Sequence, residues 1–586
     1  MQTVRRASIS LPFLVAAIAG MALAGCHHDD HQYPRPPLPL PLPLTCAQLN
    51  GTAIAASAIG LPTTGAAVTS TEVVPASGSG ATAVGEYCKV LGDINPVDAT
   101  APKIKFQLNL PASWNSKAMM FGGGGYNGII ATGAGNVPAG PVGALTPLGR
   151  GYATFGSDSG HQANATTSRD GSFGLNDEAL KNFGGDALKK TRDVAMELIK
   201  ARYASKVERA YFAGGSTGGR EALIAVSNWP QDWDGAIVLY PAWDAVALDL
   251  FFGHMTRELA KPGAYPNRDK RAALFEASLQ ACDGLDGVQD RVVSNPAACN
   301  ATFDPATALL NGSPLRCPAG LDTGNNCLSD AQIDAFKLIN SPLQLPYALA
   351  SGETNYPGFN VWGNDFGRTL PADANAAQQA IQPTVLTLTL GTQQPAFPMP
   401  PVAGASTPPY GSTFWDQWVR YLVTRDTTYN SLALNPASPG PWQPRIVALS
   451  AIQEATKTDL SPFQAKGGKI LMAHGVADGL VSPRSTQKYL QRLRMTMGTD
   501  KVASFLRYYE IPGYGHAASS IFNASWDSLS ALEAWVEKGA APANQVVADT
   551  AGVPGRTRPL CEFPAYPRYS GSGDVNSAAS FSCAAP

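Results

Sequence analysis

Ala213-Gly214-Gly215-Ser216-Thr217-Gly218-Gly219-Arg220 is the stretch on which the reading of the chain turns. It contains Gly-x-Ser-x-Gly. The apolar run 207–213 before it reads as a strand, and residues 221–226 after it read as a helix. Strand, glycine turn with a central serine, then helix is the geometry of a nucleophile elbow, where the serine backbone is strained and its neighbours pack closely. A short glycine loop is the other reading of the motif alone. The elbow reading requires an acid and a histidine later in the chain.

Both are found. Of the 7 histidines, three (His27, His28 and His31) lie in an N-terminal tail. His161 and His254 come too early, and His474 shares a loop with the acid. His516, in Gly513-Tyr514-Gly515-His516, falls between a strand at 504–511 and a helix at 526–538. Asp478 follows the buried strand 469–473, whereas its rivals Asp459 and Asp500 follow no buried strand so directly. The order Ser216, Asp478, His516 is that of the α/β-hydrolase triad. In that scheme His516 takes the serine proton and Asp478 fixes the imidazole tautomer. The glycine run 122–128 follows a strand at 117–121 and offers bare backbone N–H groups. An oxyanion would be held by the N–H of Thr217 and one from Gly124 or Gly125.

Outward from the elbow, strands at 103–110, 117–121, 151–156 and 235–240 and a helix at 187–203 predict a mostly parallel, doubly wound α/β sheet. The alternation stops at 241 and resumes after 459. That gives a core at 46–240 and 460–586 with a lid domain inserted at 241–459. A chain of 586 residues is too long for one compact core, which suits a large insertion. Net charge is -2 with 15% charged residues, so nothing points to nucleic acid.

Residues 1–26 read as an export signal, with Arg5-Arg6, an apolar stretch and Leu23-Ala24-Gly25-Cys26. That ending resembles a bacterial lipobox, in which Cys26 is lipidated and attaches the protein to a membrane. The expected location is outside the cytoplasm of a bacterium: outer-membrane lipoprotein, periplasmic or secreted. The His/Pro-rich segment 27–45 reads as a semi-rigid tether. Of 9 cysteines, Cys26 set aside, eight remain. Pairing neighbours gives Cys46 with Cys88, Cys282 with Cys299, Cys317 with Cys327, and Cys561 with Cys583.

A second constellation is Cys282-Asp283-Gly284-Leu285-Asp286-Gly287-Val288-Gln289-Asp290-Arg291-Val292. Carboxylates of Asp283, Asp286 and Asp290 with carbonyls of Val288 and Val292 suit a hard cation such as calcium. A polar turn is the other reading.

Taken together these motifs resemble the tannase and feruloyl esterase family of α/β-hydrolases, along nearly the whole chain after the tether. The resemblance rests on 122–128, Ser157-Asp158-Ser159-Gly160-His161, the elbow, the aspartate loop, His474…Asp478…Pro483 and Gly515-His516. It implies a large lid, a structural Ca2+ on the aspartate loop, no organic cofactor, and hydrolysis of aromatic esters such as those of gallate, ferulate or terephthalate half-esters. In one respect the chain departs from the family, which usually has bridged cysteines just before the serine and just after the histidine. Here those positions are Gly215 and Ala517. Installing that pair is expected to raise thermal stability. In the lid, Trp415, Trp418 and Arg420 of Phe414-Trp415-Asp416-Gln417-Trp418-Val419-Arg420 are candidates for holding an aromatic acyl group, with lid-core packing as the alternative. Function is expected to be serine esterase chemistry on a small aromatic ester through an acyl-enzyme. A broad carboxylesterase or polyester-oligomer hydrolase is the rival, and a non-catalytic surface binding protein is a more distant one.

Overall fold

The computed structural model describes residues 42–586. The signal, Cys26 and most of the tether lie outside the described residues. The principal strands are β1 (Ala53–Ile54), β2 (Ala66–Val74), β3 (Tyr87–Ile94), β4 (Ile104–Pro111), β5 (Lys117–Phe121), β6 (Ala153–Ser157), β7 (Arg209–Gly215), β8 (Gly235–Leu239), β9 (Lys469–Gly475) and β10 (Leu506–Ile511). They form one 10-stranded sheet in the order β1-β2-β3-β4-β6-β5-β7-β8-β9-β10. From β6 to β10 every pairing is parallel. From β1 to β6 every pairing is antiparallel.

Alternation along each strand explains the continuous apolar runs. Phe212, Ala236, Val238, Ile470 and Met472 belong to one buried cluster. Their neighbours Tyr211, Ala213, Ile237, Leu239 and Leu471 belong to another. Successive side chains of a strand point to opposite faces, so a strand covered on both faces is apolar at every position. The helices that matter for the site are α1 (Ala187–Tyr203), α2 (Thr217–Asn228), α3 (Ala245–Leu259), α4 (Arg268–Cys282), α5 (Tyr410–Gln417), α6 (Pro483–Met497) and α7 (Ser528–Lys538).

β8 and β9 are adjacent and parallel in the sheet, although some 230 positions apart in number, so the intervening chain is an insertion between sheet neighbours. It contributes no strand to the large sheet, only two-residue pairs such as Leu343–Gln344 with Asn355–Tyr356. It builds its own apolar cluster around α3, Phe336, Trp415 and Trp418.

Disulfides join Cys46–Cys88, Cys282–Cys299, Cys317–Cys327 and Cys561–Cys583. Each closes a short local loop, and such bridges persist in oxidising compartments. Among the described residues no helix is long and apolar enough to cross a membrane.

Candidate active site

At the end of β7 the chain turns sharply, and Ser216 adopts φ 60° and ψ -126°. A non-glycine residue there is strained, and the neighbours hold it in place. Its N–H donates to Leu239 O at 3.0 Å. A Cβ on Gly214 would come within 2.2 Å of Gly218 O, so only glycine lets β7 and α2 approach this closely. The turn throws the serine hydroxyl out above the carboxyl ends of the parallel strands.

The loops after β9 and β10 bring the other two side chains to it. His516 Nε2 lies 3.0 Å from Ser216 Oγ, and His516 Nδ1 lies 2.8 Å from Asp478 Oδ2. Asp478 Oδ1 accepts the N–H groups of Leu480 and Val481, both at 2.8 Å. Burial alone would push the Asp478 carboxyl up, but His516 and His474 outweigh it and hold the carboxyl well below the usual carboxylate range. Asp478 is thus an ionised acceptor with the imidazole fixed against it.

His474 stands behind the acid. Its Nε2 faces two acceptors, Asp478 Oδ2 at 3.2 Å and Val481 O at 3.0 Å, so that nitrogen carries the proton. Its Nδ1 lies 2.8 Å from the Thr486 hydroxyl, a group able to donate. In sequence it stood as a histidine in the acid's loop and as part of the His474…Asp478…Pro483 motif, with no role of its own.

Gly124, Gly125 and Thr217 line the same cleft as Ser216. Their N–H groups donate to no backbone carbonyl among the described residues. The glycine loop is anchored by Glu221 of α2, whose buried carboxylate accepts Gly123 N–H at 2.9 Å and the Asn127 side-chain amide. Thr217 Oγ1 donates to Gly125 O at 2.6 Å and ties the loop to the elbow. In sequence Glu221 stands at the start of the helix after the elbow, directly beside Arg220, and nothing local marks it as the anchor of a loop.

The cleft has a volume of about 570 Å³. Its wall is aromatic, with Tyr126, Phe252, Tyr410 and Phe414. Tyr126 and Phe414 stack with ring centroids 3.7 Å apart. The lid candidates need correction. Trp415 and Trp418 are fully buried and do not line the cleft. Trp415 Nε1 donates to Ser431 O at 3.0 Å, and its ring lies where a side chain on Gly253 of α3 would sit. Trp418 Nε1 donates to Gln453 Oε1 at 3.2 Å. Arg420 is absent from the cleft too; it donates to Thr427 O and to Asp416 Oδ2 at 3.0 Å. The physical reason is helical geometry. Positions 415, 418, 419 and 422 share one face and pack inward, which leaves Phe414 turned to the cleft.

Gly215 is tight for another reason. A Cβ there would come within 2.5 Å of the Tyr240 ring, which itself lies 4.8 Å from the His516 ring, centroid to centroid. A cysteine at 215 therefore collides with Tyr240, which works against the stability gain expected from a 215–517 cysteine pair.

In the aspartate loop, Asp283 accepts the N–H groups of Asp290, Arg291 and Val292 at 3.2, 2.9 and 3.1 Å. Asp290 pairs with Arg558. Asp286 Oδ2 is buried with no hydrogen-bond partner among the described residues. No group of three or more His, Cys, Asp or Glu side chains is gathered as for a metal ion among the described residues. The loop hangs from the Cys282–Cys299 bridge at the end of α4.

Comparison with known proteins places the chain in a family. Residues 88–584 match the family model described as tannase and feruloyl esterase. The chain is 41% identical over 547 residues to an uncharacterized esterase of Agrobacterium fabrum, covering 92% of this chain and 93% of that protein. It is 30% identical over 553 residues to a mono(2-hydroxyethyl) terephthalate hydrolase of Piscinibacter sakaiensis, covering 88% and 87%. Among solved structures, feruloyl esterase B from Aspergillus oryzae superposes with a TM-score of 0.68 at 23% identity, covering 90% of this chain and 98% of that one. A tannin acyl hydrolase from Aspergillus niger gives 0.67 at 22%, covering 93% and 96%. At those identities the likeness establishes the α/β-hydrolase fold.

Proposed function

The chain belongs to the tannase and feruloyl esterase family and is an enzyme that acts on esters, and from that premise we propose that it is a serine esterase for aromatic acids, with Ser216 as nucleophile. The observation that carries the proposal is the unbroken chain Ser216 Oγ–His516–Asp478 ending on a strained serine. His516 Nε2 takes the serine proton as Oγ attacks the ester carbonyl. The oxyanion forms beside the N–H of Thr217 and those of Gly124 or Gly125, each such donor being worth ~3 kcal/mol of barrier. His516 then protonates the leaving alcohol, and water repeats the sequence on the acyl-enzyme. Asp478 stays ionised throughout and supports the imidazolium.

An aromatic acyl group, of the galloyl, feruloyl or terephthalate half-ester type, is supported by the rings that wall the cleft. Calcium is proposed on the aspartate loop. The unpartnered Asp286 Oδ2 and the oxygen-only donor set fit a hard cation, held by Asp283, Asp286, Asp290 and the carbonyls of Val288 and Val292. Its contribution there is structural, clamping the inserted layer. Export, with lipid attachment through Cys26, is proposed from the signal-like sequence.

The decisive experiment is Ser216→Ala assayed on ethyl ferulate, methyl gallate, a terephthalate half-ester and p-nitrophenyl acetate. A loss of roughly 10⁶-fold in kcat is expected. Turnover equal to the parent enzyme sinks the mechanism, and equal rates on the acetate and the aromatic esters of the parent enzyme favour a broad carboxylesterase instead.

A further inference from the structure

One carboxyl group in the cleft has no place in the mechanism. α3 runs Val246-Ala247-Leu248-Asp249-Leu250-Phe251-Phe252, an apolar stretch interrupted by a single acid. Asp249 is 2% exposed and lines the same cleft as Ser216. Its one side-chain hydrogen-bond partner among the described residues is the Tyr126 hydroxyl, at 3.5 Å from Oδ1. That hydroxyl is also 3.4 Å from Phe414 O. Both contacts are at the long limit of hydrogen bonding, so acid and phenol both retain capacity for a further partner. A buried polar group without a good partner is costly, and one that faces a binding cleft gains its partner from the ligand.

The only arginine or lysine that lines the cleft among the described residues is Arg220. Its terminal nitrogens donate to Gln453 O at 2.8 Å and Phe183 O at 3.0 Å, and its guanidinium lies over the Phe183 ring. Its Nε is buried without a partner among the described residues, but both terminal nitrogens are taken by carbonyls, so it offers an anionic ligand no paired N–H fork. Burial pushes Asp249 well above the usual carboxylate range, against the opposing effect of Arg220. A neutral carboxylic acid both donates and accepts, whereas a carboxylate only accepts.

Building on the serine-esterase reading above, we infer that Asp249 and the Tyr126 hydroxyl form the polar end of the acyl pocket and recognise a hydroxyl on the substrate's aromatic ring. The aromatic wall takes the ring, and the acid–phenol pair takes the hydroxyl. A ring that carries a second carboxylate, as in a terephthalate half-ester, meets an acid, and the one cation in the lining among the described residues has both terminal nitrogens committed to carbonyls. The substrate class is accordingly the esters of phenolic acids.

The test compares kcat/KM for methyl 4-hydroxybenzoate, methyl benzoate and monomethyl terephthalate in the parent enzyme and in Asp249→Leu, Asp249→Asn and Tyr126→Phe. The parent enzyme should prefer the hydroxylated ester by about tenfold or more. The ratio of hydroxylated to unsubstituted ester should collapse towards one in Asp249→Leu, fall in Tyr126→Phe, and largely survive in Asp249→Asn, which still donates and accepts. A merely structural role would lower both rates together and leave the ratio intact; that result overturns the inference. So does a parent enzyme that favours the terephthalate ester. If Asp249→Leu does not fold, melting shifts of the parent enzyme and Asp249→Asn with 4-hydroxybenzoate and with benzoate decide, and equal shifts overturn it. Failure of the nucleophile assignment is read separately, as turnover that persists in Ser216→Ala.

Discussion

The ends of the parallel strands and the inserted layer facing them constrain their residues in different ways. At the strand ends each side chain is fixed by backbone. Ser216 is held by its φ of 60°, and Asp478 by two N–H groups of its own loop. In the inserted layer, Phe414 and Trp415 are chain neighbours, yet one faces the cleft and the other is core. Their roles follow from how a helix happens to rotate against α3. Chemistry is therefore assigned by strand position, whereas substrate contact is assigned by packing.

That contrast can be broken at either side. The largest effect is expected from Asp478→Asn, which keeps the shape but frees the imidazole tautomer; kcat should fall by about 10⁴-fold with the fold intact. A modest loss, measured by steady-state kinetics, would mean that the loop rather than the charge positions His516. Next comes Trp415→Ala. Emptying a fully buried indole site should cost about 3–5 kcal/mol in denaturant unfolding while KM for an aromatic ester changes little. A large KM change with unchanged stability would put Trp415 back in the substrate pocket. Chelation of calcium should lower stability by about 2–3 kcal/mol if the ion normally stands near a hundredfold above its Kd. Melting curves that do not move with chelator present would remove the ion from the aspartate loop. Phe414→Ala should be the mildest, raising KM for aromatic esters by roughly 3–10-fold, the worth of one stacking partner. An unchanged KM would erase the distinction between neighbours 414 and 415.

The same contrast explains what was legible in the sequence. The elbow, the order of Ser216, Asp478 and His516, and the strands that carry them follow from local rules of glycine spacing and apolar runs. The antiparallel edge, β2 and β3, was not anticipated, because 66–74 is half polar and only Ala66 and Val68 of it are buried, so no continuous apolar run marks it. Trp415, Trp418 and Arg420 stand in the sequence as pocket candidates with lid-core packing as the alternative, because aromatic richness does not reveal which way a helix faces. Glu221, Asn127 and Asp249 were missed since their meaning depends on which loop folds over them. A lone acid in an apolar run was the signal available for Asp249, and it says that something is held without saying what.

The ring of Tyr240 over Gly215 has a consequence for how this site can change. A side chain at 215 and the Tyr240 ring in its present position cannot share the space beside the nucleophile. Because the same ring abuts His516, positions 215, 240 and 517 form a linked set. No single substitution leads from one solution to the other: a cysteine introduced alone meets the ring, and a trimmed Tyr240 alone leaves a void beside the general base. An engineer who wants the serine and histidine loops stapled together has to move three residues in one step, or accept an intermediate worse than either end.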